Sequence, residues 1–177
     1  MFDIPITKEQ KEYTWKLVKS CNFGNRGKFD GDLERQYTGI LGQTVMADGL
    51  KEKRPDGTEG FDNGIDFVIM GKNVDLKTMG RTTEVRPSYV NNLVASQCKY
   101  ATQFYVFSSI NKKTNKITFI GVLPKKNLEK YFLKEGTERT RHDRTKFKIK
   151  TDMYEIPNKD LIQVRCWFDV VCAVDSR

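Results

Sequence analysis

The sequence predicts an α/β (α+β) domain, and three observations carry that expectation. Two segments before residue 50 repeat apolar residues at helical spacing, and a ribbon rich in β-branched and aromatic residues spans Gly64 to Met79. Two more apolar runs, Gln103 to Ile110 and Ile117 to Leu123, are joined by the polar turn NKKTNK. A length of 177 residues suits one domain with a substantial core. It divides into an N-terminal helix and loop (1–30), a core (31–123) and a basic segment (124–177).

Taken in order, Thr7 followed by Gln10 forms a capping-box pattern and starts a helix over about residues 7 to 20. The stretch CNFGNRGKFDGD reads as a loop that offers Arg26 and Lys28 to phosphate. Asp30 or Asp32 caps a second helix running to about Leu50, and Gly39 and Gly42 allow a strand to approach it closely. On a helical wheel Glu34 aligns with Leu41 and Val45, whereas Gln43 falls on the opposite side, so Glu34 is the acid expected to face inward. Pro87-Ser88 opens a further expected helix to about Ala101, and Pro124 another to about Lys134. Thr145 to Lys150 alternates as a lysine-bearing strand, a short helix begins at Asn158, and VRCWFDVVCAV is expected to close the chain as a core strand.

Chemistry concentrates on the ribbon. Gly71-Lys72 suits a two-residue type II′ turn, which pairs Met70 with Asn73, Val68 with Asp75 and Asp66 with Lys77. Side chains alternate along a strand, so Asp66, Asp75 and Lys77 share one face while Phe67, Ile69, Val74 and Leu76 share the other. Two carboxylates and the Leu76 carbonyl supply hard oxygen ligands for Mg²⁺, with Mn²⁺ as a substitute. A neighbouring lysine stabilises charge developing on phosphate. The same residues also fit an exposed face carrying an Asp66–Lys77 ion pair worth about 0.2–1 kcal/mol.

Composition narrows the partners. The chain carries 31 Lys and Arg against 23 Asp and Glu, a formal charge of +8. Ten basic and four acidic residues between Lys125 and Lys150 supply +6 of it. A basic balance of this size points to a polyanion, held through counterion release. Candidate phosphate contacts are Arg26, Lys28, Arg81, Lys99, Arg139, Arg141, Arg144, Lys146 and Lys148. No apolar run is long enough to span a bilayer and the first residues lack the basic-then-apolar pattern of a secretory signal, so a cytoplasmic protein is expected. Cys21, Cys98, Cys166 and Cys172 are scattered, with a single histidine for company, and are expected to be reduced core residues.

The motif GID followed by VDLK, preceded by an acidic helix, resembles the PD-(D/E)XK nuclease superfamily. The resemblance implies a restriction-endonuclease-like core, a central mixed β-sheet flanked by helices. It implies Asp66 and Asp75 as metal ligands, Lys77 as the catalytic lysine and Glu34 as the acidic partner from the first core helix. Asp62, in GFDNGID, competes with Asp66 for the first-motif role. SQCKY is similar to the Q-x-x-x-Y element of the exonuclease branch, one residue shorter, which gives Gln97 and Tyr100 supporting roles. The wider stretch from GNRGKFDGDLERQ to YVNN also resembles small nuclease-like proteins of phage and bacteria. The implied activity is Mg²⁺-dependent hydrolysis of DNA, endonucleolytic rather than exonucleolytic, with a homodimer frequent among members that cut both strands. The alternative is a nuclease-fold DNA-binding or accessory protein without catalysis.

Overall fold

The computed structural model describes residues 1–21, 32–58, 64–140 and 144–175. Strand β1 (Phe2–Pro5) leads into α1 (Lys8–Ser20), whose start is set by a capping box. The Thr7 hydroxyl accepts the Gln10 N–H, and the Gln10 side chain accepts the Thr7 N–H in return. Helix α2 (Leu33–Leu50) starts at Asp32, whose carboxylate accepts the Arg35 N–H; Asp30 lies outside the described residues. The helix ends at Lys51 in the left-handed conformation.

The hairpin is β2 (Phe67–Ile69) and β3 (Lys72–Arg81). It is followed by β4 (Val90–Val94), β5 (Phe104–Asn111), β6 (Lys116–Pro124), β7 (Phe132–Leu133), β8 (Glu138–Thr140), β9 (Lys146–Lys148), β10 (Met153–Pro157), β11 (Ile162–Gln163) and α3 (Trp167–Asp175). The main sheet runs β1-β6-β5-β3-β2, with β11 also on β6, and it is mixed because β3 and β5 are parallel while the other pairs are antiparallel. A smaller antiparallel sheet runs β4-β10-β7, and β8 pairs with β9.

Side-chain alternation divides the main sheet between two cores. Val74, Leu76, Phe104, Val106, Phe119 and Val122 join Leu41, Val45 and Met46 of α2 and Val170 and Val174 of α3. Tyr105, Phe107, Ile120 and Leu123 point the other way, onto Leu93, Tyr154 and Ile156 of the small sheet. The β5–β6 ladder shifts register between Phe107 and Ser108. The extra residue of that bulge is Ile120, which lets Phe119 and Val122 both face the helices while Ile120 faces the small sheet.

Mixed α and β structure agrees with the sequence, but among the described residues the expected helices on both faces do not occur. Helices cover one face and the small sheet the other, because the expected helix over residues 88–101 is β4 followed by a 3-10 turn, Ala95–Lys99. Asn91 and Leu93 are buried and Asn92 is exposed, an alternation of period two. Asn91 donates to Asn158 Oδ1 at 2.8 Å, so pairing with distant β10 overrides the helical spacing. The expected helix from Pro124 is two 3-10 turns, Lys125–Asn127 and Glu129–Tyr131, and that at Asn158 is also a 3-10 turn.

The expected final strand is α3. Val170, Ala173 and Val174 are buried at three- and four-residue spacing. The basic segment is no appendage: it contributes β7 and β10 to the small sheet, β11 to the main sheet and α3 to the core. The cysteines are free and none is fully buried, with Cys166 and Cys172 exposed. Among the described residues no helix is long and apolar enough to cross a membrane.

Candidate active site at the edge of the hairpin

The hairpin turns one residue earlier than the sequence predicts. Met70 and Gly71 occupy the turn with φ of 49° and 72°, and the observed pairs are Phe67–Val74, Val68–Asn73 and Ile69–Lys72. Positive φ at both turn residues is the signature of a type I′ turn rather than II′. Moving the turn by one residue slides the pairing by two, so face parity survives. Val68 and Asn73 remain on the face of Asp75 and Lys77, but the ladder ends at Phe67–Val74, so the expected pairing of Asp66 with Lys77 is not part of it.

Asp66 lies just beyond the end of β2, and its side chain takes over from the ladder. Its N–H donates to the Val74 carbonyl at 3.0 Å, and its Oδ2 accepts the Leu76 N–H at 2.7 Å. In an extended strand the N–H and C=O of one residue point to the same side, so the Leu76 carbonyl faces the same edge as the Asp66 carboxylate. Oδ1 of Asp66 accepts from the Gln43 amide at 2.7 Å.

Gln43 therefore occupies the position the wheel gave to Glu34. Glu34 is exposed and ion-paired with Lys112, and the structure does not bring it to Asp66. The wheel assumed one buried stripe, but α2 is covered on two sides, by α1 and by the sheet, and buries Thr38, Ile40, Leu41, Gly42, Thr44, Val45, Met46 and Ala47. The helix comes close to β3 at Gly42, where any Cβ would overlap the Thr78 side chain. Gln43 follows at once, whereas Glu34 lies about 12 Å further back along the axis. The Gly42-Gln43 pair was the available signal, since a glycine on a helix marks where a strand comes near.

Asp75 projects onto the small-sheet side beside Tyr105, its neighbour on β5. Its side chain is 3% exposed and is paired with Lys77 Nζ at 2.7 Å, with Lys77 the more exposed member at 26%. Burial raises the pKa of the Tyr105 hydroxyl well above its ordinary value, so it stays protonated. Burial also pushes the Cys98 thiol up, against the pull of Lys125 and Lys77, with Asp75 adding to the rise.

Of the supporting pair, Tyr100 packs its ring against Gly64, two residues before Asp66, and Gln97 lies half-buried in the 3-10 turn Ala95–Lys99. Lys99 is exposed, with its ammonium 5.3 Å from the centre of the Tyr100 ring. Arg81 is half-buried. Its guanidinium stacks on Tyr89 and donates to the Val90 carbonyl at 3.0 Å, and burial lowers its pKa. Arg139 is paired with Glu155, and Lys146 with Glu138 at 2.9 Å across the β8–β9 hairpin; Lys148 and Arg144 are exposed. Arg26, Lys28, Asp62 and Arg141 lie outside the described residues.

Asp66, Asp75 and the Leu76 carbonyl are all oxygen donors, the kind a hard divalent ion that keeps several waters takes. Among the described residues no group of three or more His, Cys, Asp or Glu converges. No family model and no curated protein matches the chain, and no solved structure matches it either.

Proposed function

We propose that the chain is a Mg²⁺-dependent deoxyribonuclease that hydrolyses DNA phosphodiester bonds, endonucleolytic in mode and related in design to the PD-(D/E)XK superfamily. The observation that carries this reading is the edge itself: the Asp66 carboxylate lies against the Leu76 N–H, and Asp75 is paired with Lys77 next along the same strand. Asp66, Asp75 and the Leu76 carbonyl would hold the metal. When bound, Mg²⁺ supplies Lewis acidity toward a phosphoryl oxygen and makes a water more acidic.

The chain's own residues do the rest. Gln43 and the Leu76 N–H orient the Asp66 carboxylate, each leaving it further lone pairs. Lys77, the more exposed half of its ion pair, can turn from Asp75 to a phosphate oxygen as negative charge builds there. The small sheet and Tyr105 keep water from the inner side of Asp75.

The test is a cleavage assay on linear, branched and single-stranded DNA with Mg²⁺ or Mn²⁺. Cleavage is expected for the wild type and absent from an Asp75→Ala, Lys77→Ala double variant; activity that survives both changes sinks the assignment.

One observation favours a second reading, a nuclease-fold protein that binds DNA without cutting it. Lys77 already neutralises Asp75, and Asp66 already accepts two hydrogen bonds, so the site is charge-compensated by protein groups alone. Salt-dependent DNA binding with no Mn²⁺ bound at Asp66 and Asp75 in a titration would select it.

A further inference from the structure

The face that carries Asp75 and Lys77 holds a second ammonium that lies outside the D-x-K motif. Strand β6 ends at Pro124, but the ladder continues one pair further, since the Lys125 N–H donates to the Gln103 carbonyl at 2.8 Å. The registers Phe104–Pro124 and Tyr105–Leu123 extend to Gln103–Lys125, and Asp75 pairs with Tyr105. Alternation then places Lys125 on the same face as Leu123, Tyr105, Asp75 and Lys77. Two strands and two residues separate Lys125 from Asp75, about 10 Å across the sheet and about 7 Å along it, and an extended lysine stem covers about half of the resulting distance.

The side chain is directed toward the site. Lys125 Nζ donates to the Tyr100 carbonyl at 2.6 Å, and the Tyr100 ring packs on Gly64 at the entry to Asp66. An ammonium has three donors, of which that carbonyl takes one. Lys99 stands over the same Tyr100 ring. A carbonyl clamp alone has no need of a cation beside a carboxylate site.

We propose that Lys125 is a phosphate-binding residue of this site, taking a phosphate of the bound DNA strand next to the one presented to Asp66, Asp75 and Lys77. The proposal rests on the reading of that face as the DNA-binding face. In it, Lys77 serves the reacting phosphate, while Lys125 fixes the strand's register by holding its neighbour, a contact that positions without reading sequence.

The experiment is oligonucleotide binding by fluorescence anisotropy in EDTA, with the full-length chain, over a series of NaCl concentrations. Each phosphate contact contributes about 0.9 to the slope of log K against log salt on duplex DNA. Lys125→Met is expected to lower the slope by about that amount and to weaken binding on every sequence alike. Lys125→Arg should keep the slope, and Lys8→Met, on the outer helix, should leave it unchanged. Failure of the wild type to bind, an unchanged slope in Lys125→Met, or an equal loss in Lys8→Met overturns the proposal. Cleavage is scored separately. A Lys125-dependent slope without Mg²⁺ cleavage keeps this inference and rejects hydrolysis, whereas cleavage that needs Asp75 and Lys77 with an unaffected slope does the reverse.

Discussion

The Gln43 side chain donates to Asp66 at 2.7 Å and thereby ties the middle of α2 to the end of β2. A hydrogen bond to a charged group contributes about 1.5–3 kcal/mol when it is made away from water, and this one is half-buried. Gln43→Ala is expected to cost about 1–2 kcal/mol in urea unfolding. It should also weaken Mn²⁺ binding, because Asp66 loses an orienting donor. Glu34→Ala, at an exposed ion pair, should move stability by less than about 1 kcal/mol and leave metal binding unaltered.

Asp75 and Lys77 should behave as one unit. Removing one partner leaves a charge without its counterpart in a site that is nearly closed, at a cost on the order of 3 kcal/mol for Lys77→Met. Asp75→Asn with Lys77→Met in one chain is expected to be more stable than Lys77→Met alone. A double-mutant cycle by chemical denaturation measures that coupling; independent, additive losses would show that the pair is not joined.

Gly42 is required by distance. A methyl there would overlap the Thr78 hydroxyl and crowd its Cβ and Cγ2, so Gly42→Ala should push α2 off β3 and lower stability by about 1–3 kcal/mol. Adding Thr78→Ala should recover part of the loss, read as a partial return of the melting temperature. Gly39→Ala, with open space around it, should be neutral or slightly stabilising.

Arg54 clamps Glu9 of α1 to Asp48 of α2, and Gln10 donates to the same Asp48 carboxylate at 2.7 Å. Burial tends to raise the Asp48 pKa, but the hydrogen bonds from Arg54 and Gln10 outweigh it and leave the carboxyl below its ordinary value. A depressed carboxyl stabilises the fold above its unfolded pKa, and that contribution is lost as pH falls through the folded value. The wild type should therefore lose stability on acidification below about pH 4. Arg54→Met should start less stable at neutral pH and lose less over the same acid range, as thermal melts across pH would record.

Local chemistry was legible in the sequence and distant pairing was not. The α1 start followed from Thr7 and Gln10, and the α2 start from Asp32, because a cap is completed within three residues. The shared face of Asp75 and Lys77 was legible because it depends only on strand parity, which the misplaced turn left intact. Strand β4 was not, since Val90 to Val94 becomes a strand by pairing with β10, some sixty residues away. Gln43 was hidden by a helix buried on two sides, and charge alone does not reveal that the Arg81 guanidinium lies over Tyr89 and donates to the Val90 carbonyl. Helix α3 was readable in principle from the spacing of Val170, Ala173 and Val174, but its valines suggested a strand.

The outer edge of β6 is divided between β1, which takes Lys116 to Phe119, and β11, which takes Gly121 and Val122. Two segments about 160 residues apart thus meet end to end on one strand. A chain still threading through a ribosome keeps the Gly121–Val122 part of that edge open until Gln163 has emerged. β11 closes onto β6 across the 40 positions from Val122 to Ile162, and until it does so that stretch of edge is open to pairing with other copies of the chain.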